Sequence, residues 1–121
     1  MNVSELERWL DAYGKAWEQR DADGVCRIFN EDALYYETPF AEPFKGHEGI
    51  RSYWSSVTAD QRDIRFESRP VGVVGSTGIA HWSARFKLES NGANVELDGV
   101  FLLEFDADGR CKTLREWWHA R

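Results

Sequence analysis

The sequence predicts a single α+β domain, with helices packed on one face of a curved antiparallel sheet. Three observations carry that expectation. Apolar residues recur at helical spacing through the first half, and from about residue 63 the period becomes two. Turn signals punctuate the second half at Gly75-Ser76-Thr77-Gly78, Asn91-Gly92 and Asp108-Gly109, as successive hairpins require. At 121 residues the chain holds one core, because two halves would each be too small to bury one. No stretch reads as a linker or an internal repeat, so residues 1–121 are taken as one domain.

The elements follow in order. Ser4 with Glu7 reads as a capping box and starts a first helix, whose apolar stripe is Leu6, Trp9, Leu10, Tyr13, Ala16 and Trp17. Asp21 caps a short second helix with Val25, Ile28 and Phe29 on its apolar face. Ala33 to Thr38 is rich in strand formers, and Pro39 stops it. Ile50, Tyr53, Trp54 and Val57 stand at i, i+3, i+4, i+7, which makes His47 to Val57 a third helix. Four strands then run over about 64–74, 78–89, 94–105 and 110–119. They are long for the helices that cover them, so the other sheet face is expected to be solvated or paired with another subunit.

Composition excludes several function classes. Lys and Arg number 15 against 21 Asp and Glu, a net charge of −6, which disfavours non-specific nucleic-acid binding and docking on anionic lipid. No run of about 18 apolar residues offers a membrane span. The N-terminus lacks a basic segment followed by an apolar one, so no secretory signal and a cytoplasmic location are expected. Cys26 and Cys111 form no CxxC pair and read as free thiols of a reducing compartment. His47, His81 and His119 are scattered without ligand spacing, and no phosphate-binding glycine loop opens a helix; neither a metal nor a cofactor is expected.

The order of three helices, a short strand and a four-strand meander resembles the cone-shaped α+β fold of the nuclear transport factor 2-like superfamily. That group includes ketosteroid isomerases and SnoaL-type polyketide cyclases. The local text is similar as well, at Phe29-Asn30-Glu31-Asp32-Ala33, Glu37-Thr38-Pro39-Phe40, Gly46-His47-Glu48-Gly49-Ile50, and the final hairpin from Phe105-Asp106 to Trp117-Trp118. The resemblance implies a conical pocket between the helices and the concave sheet face, a small-molecule ligand in it, and a homodimer through the convex sheet face.

Placing the chain on that frame chooses one parity in each strand. Tyr36 and Thr38 would point inward, then Trp82, Ala84, Phe86 and Leu88, then Leu97, Gly99, Phe101 and Leu103, then Leu114, Glu116 and Trp118. The opposite set, with Ser83, Arg85, Lys87, Asp98, Glu104, Arg115 and His119, is mostly polar, so alternation alone selects the same parity. Val100, Leu102 and Trp117 break the outward pattern and suggest a partner surface.

The resemblance does not extend to two known residue sets. Ketosteroid isomerases use a helix Tyr, a general-base Asp before a Pro-Phe pair and a protonated Asp on a meander strand. Tyr13 and the pocket Trp118 match, but Thr38 and Phe101 stand at the two Asp positions, and Trp54 replaces a Tyr. The inward set also lacks the Asp-Arg-Asp cluster with which epoxide hydrolases of this fold activate water. Glu116 is the one inward acid. Among aromatic residues its pKa would rise toward values useful in acid/base work. On the alternative reading it is merely satisfied by an Arg, a Tyr or a Trp N–H. Glu37 faces outward by parity unless a bulge turns it in. The expected site is therefore Glu116 as acid/base and Tyr13 as hydrogen-bond donor, within a lining of Trp17, Tyr36, Thr38, Trp54, Trp82, Phe86, Phe101 and Trp118. The alternative is a non-catalytic binding or dimerisation module whose indoles fill the pocket.

Overall fold

The computed structural model describes residues Met1–Arg121. Helix α1 spans Val3–Glu18, and its cap lies two residues before the expected one. Asn2, not Ser4, is the N-cap: its Oδ1 accepts from the Glu5 backbone N–H at 2.8 Å, and Glu5 Oε1 accepts from the Asn2 N–H at 3.0 Å. The sequence holds both boxes, and this one also places Met1 and the fully buried Leu6 where a hydrophobic staple needs them. Helix α2, Ala22–Arg27, is capped as expected by Asp21, which accepts from the Gly24 N–H at 2.9 Å. It ends at Ile28, and Phe29 opens the first strand instead of completing the helix face.

Strand β1 is Phe29–Tyr36, and β2, Phe44–Lys45, pairs antiparallel with it. Two residues carry no periodicity, which is why β2 is invisible in the sequence. Helix α3, Gly46–Thr58, turns Ile50, Trp54 and Thr58 inward. The meander follows as β3 Gln61–Val74, β4 Thr77–Leu88, β5 Asn94–Phe105 and β6 Cys111–Ala120. The sheet order is β2-β1-β6-β5-β4-β3. The meander is antiparallel throughout, but β1 runs parallel to β6, so the six-stranded sheet is mixed. Strand β3 starts earlier than its alternation indicated, because a register irregularity between Arg62 and Arg65, with Asp63 at φ 55°, scrambles the pattern there.

The helices cover one face of this curved, unclosed sheet. Ala80, Trp82, Ala84 and Phe86 on β4, Phe101, Leu103 and Phe105 on β5, and Leu114 and Glu116 on β6 are buried against them, in the predicted parity. Strand β1 departs from it. Tyr35 is buried and Tyr36 faces outward, with the Arg115 guanidinium 4.0 Å from the centre of its ring. The run Ala33-Leu34-Tyr35-Tyr36 does not alternate, so its parity could not be read, and the β1–β6 register shifts between Phe29 and Leu34.

Candidate functional site

The concave face closes around a cavity of about 290 Å³. Helix α1 supplies Tyr13 and Trp17 on its apolar stripe, one turn apart. Helix α3 supplies Tyr53, Trp54 and Val57, and the sheet supplies Tyr35, Trp82, Phe86, Leu97, Glu116 and Trp118. A larger open groove of about 720 Å³ lies on the outer sheet face among Arg65, Arg85, Glu96, Asp98 and His119. The smaller cavity is the candidate site, because it is apolar-walled and converges on a few polar groups.

Cross-strand register fixes the sheet side of the site. Trp82, Gly99 and Trp118 are aligned across β4, β5 and β6, and Phe101 pairs with Glu116 beside them. The Trp82 indole stacks on Phe101 at 5.2 Å and lies over Gly99. Only glycine permits that approach: a Cβ at position 99 would stand 2.8 Å from two indole carbons and 2.6 Å from the Trp117 carbonyl oxygen. Phe101 is thereby a floor beneath Trp82, fully buried but outside the cavity lining.

The polar groups form a line. Tyr13 and Tyr35 share a hydroxyl–hydroxyl hydrogen bond at 2.8 Å. The Tyr35 hydroxyl faces the Glu116 carboxyl, which is 5% exposed. Burial pushes the Glu116 pKa up to about 8; the Tyr35 hydrogen bond offsets part of the rise, and the nearby Glu37 charge adds to it. Burial, and then the Glu116 charge, also hold Tyr13, Tyr35 and Tyr53 above the ordinary phenol value. Glu116, at the cavity wall, thus holds its proton at pH 7 and releases it near pH 8.

The pocket's four indoles divide into two that donate and two that do not. Trp17 Nε1 donates to Gln61 Oε1 at 2.8 Å, and Trp118 Nε1 donates to the Glu37 carbonyl at 3.1 Å. Trp54 and Trp82 keep buried N–H groups with no partner. No three His, Cys, Asp or Glu side chains converge as metal ligands.

The structure brings Glu116, Tyr13, Trp17, Trp54, Trp82, Phe86 and Trp118 together around the cavity. It leaves Tyr36, Thr38 and Phe101 out of the lining. Tyr35 takes the place assigned to Tyr36, for the reason given above. Thr38 lies in the bend after β1, where the strand's alternation no longer applies. Glu37, in the same bend, lines the cavity. The β1 parity hid Tyr35, and the bend past the strand's end hid Glu37; Tyr53 was in view in the α3 stripe.

A family model described as a SnoaL-like domain matches residues 6–113. The chain belongs to the SnoaL-like family. Solved structures agree on the fold. The epoxide hydrolase/cyclase-like enzyme SalBIII, which acts in pyran ring formation in the polyether salinomycin, aligns with a TM-score of 0.80 at 17% identity, over 98% of this chain and 95% of its own. A hypothetical protein from Catenulispora acidiphila with a ketosteroid isomerase-like fold, in complex with trimethylamine, aligns with a TM-score of 0.80 at 11% identity, over 97% of this chain and 86% of its own. No curated protein matches the chain. No helix of this SnoaL-like domain is long and apolar enough to cross a membrane.

Proposed function

We propose that the cavity binds a small apolar or aromatic molecule, and that Glu116 exchanges a proton with it as in isomerase- or cyclase-type chemistry. The observation that carries this reading is the buried Glu116 carboxyl at the end of the Tyr13–Tyr35 pair, in a cavity walled by aromatic rings. Tyr13 acts through Tyr35, holding its hydroxyl in place beside the carboxyl. A cavity of about 290 Å³ is at the small end of ligand sites and suits one or two fused rings. The trimethylamine in the Catenulispora neighbour is a ligand of comparably small scale, which supports a small-molecule reading.

The test is hydrogen–deuterium exchange at the α-carbon of small aryl ketones that bind the protein. The Glu116→Gln variant should lose about 10²-fold or more of any exchange the native protein catalyses. An unchanged rate would remove Glu116 from the chemistry and leave a binding module.

We also infer a homodimer through the outer sheet face, in a cytoplasmic setting. Val100 and Trp117 are cross-strand partners there, 40% and 46% exposed, with the Arg- and acid-lined groove close by. Paired apolar residues beside mixed charge suit a self-complementary surface. Two buried, unpaired cysteines suit a reducing compartment. Sedimentation at micromolar concentration should show a dimer that Trp117→Lys converts to a folded monomer; a native monomer would overturn the inference.

A further inference from the structure

We propose that the cavity's ligand is a small organic cation: an ammonium group bearing alkyl or aryl substituents. The proposal rests on reading the cavity as a ligand site and names the chemistry that site selects. Of its fifteen lining residues none is Lys, Arg or His, and the two that bear carboxyl groups are Glu37 and Glu116. Neither takes part in an ion pair. Arg115, next to Glu116 along β6, is turned to the opposite face and occupied by the Tyr36 ring. The remaining wall is rich in aromatic faces: four indoles, three phenols and Phe86.

Each ligand class meets that wall differently. An anion would face two carboxyl groups with no cation to answer it. A neutral apolar molecule would fill the space but leave Glu116 in a dry site with nothing to gain from ionising. An ammonium ion is attracted by the aromatic quadrupoles, as in cages for quaternary amines. It also finds Glu37 at the wall and favours the ionised form of Glu116. The ligand's charge would therefore convert the buried acid into a base at the moment of binding.

The pH dependence has a definite sign. Tyr13 from α1, Tyr35 from β1, Glu37 from the following bend and Tyr53 from α3 are the titratable groups facing Glu116; β4 and β5 bring only Trp82 and Phe101 beside it. The three phenols are held neutral by burial. Glu116, at about 8, is the group that changes charge between pH 6.5 and 8.5. A cation binds its ionised form better, so affinity rises with pH across that interval and binding below pH 8 releases protons.

The experiment compares phenyltrimethylammonium with tert-butylbenzene, a neutral molecule of the same shape, by calorimetry and indole N–H resonances on the intact protein. The cation should bind at least about tenfold more tightly. Its affinity should rise between pH 6.5 and 8.5, Glu116→Gln should flatten that rise, and Glu37→Gln should weaken the cation several-fold while leaving tert-butylbenzene unchanged. If tert-butylbenzene binds as well as the cation, or the cation's binding ignores pH and both Glu variants, the cation proposal falls while the ligand-site reading stands. If neither compound binds or moves the Trp54, Trp82 or Trp118 resonances, both readings fall.

Discussion

Replacing Glu116 with Gln is expected to stabilise the protein at pH 7 by roughly 3 kcal/mol, at about 1.4 kcal/mol for each pH unit above the unfolded-state pKa. The carboxyl is buried and holds its proton up to about pH 8, whereas an ordinary Glu releases it near 4.5. Between those values the unfolded chain ionises and the folded chain does not, so stability falls as pH rises. The loss is complete above about pH 8, where the folded state ionises too. Glutamine keeps the shape and stays neutral in both states. Urea unfolding of the two proteins should therefore diverge steadily from pH 4.5 to 8 and converge below pH 4, with unchanged m-values. A native protein more stable than the variant at pH 8.5 would mean that the folded state welcomes the carboxylate. A group that costs this much in the free protein is the kind retained for a site.

Gly99→Ala is expected to cost about 3 kcal/mol, at the upper end of overpacking effects. The new Cβ would meet the Trp117 carbonyl at 2.6 Å and the Trp82 ring at 2.8 Å, and neither can retreat easily. The carbonyl belongs to a strand in register with β5, and the indole is stacked between Phe66 and Phe101. Gly72→Ala is the matched control: nothing lies within 4 Å of its Cβ, so stability should change by no more than about 0.5 kcal/mol. Thermal unfolding of the pair separates steric conflict at position 99 from the general effect of placing alanine for glycine in a strand. Equal melting temperatures would show that Trp82 is free to move, and with it the cavity wall.

The fold was legible because the meander alternates cleanly. Trp82, Ala84 and Phe86 against Ser83, Arg85 and Lys87 leave one choice of inner face, and β5 and β6 agree with it. The first strand was legible only as a strand. Four consecutive residues that tolerate burial, Ala33 to Tyr36, carry no parity, and register there is set by pairing with the distant β6. That one ambiguity hid Tyr35, and with it the hydroxyl that bonds Tyr13 and faces Glu116. Glu37 was hidden differently: it lies past the strand's end, where a bend and not the pleat aims the side chain. Glu116 was visible from the outset, since an acid alone among inward apolar residues is what alternation exposes most sharply.

The protonation of Glu116 is best observed directly, by following the side-chain carboxyl ¹³C resonance of Glu116 with pH in the free protein, assigned by its loss in Glu116→Gln. A midpoint near 8 is predicted, with the other carboxyl resonances as internal references. A midpoint near 4.5 would place the carboxyl in a solvated setting and contradict the account of the cavity as a dry, acid-tuned site.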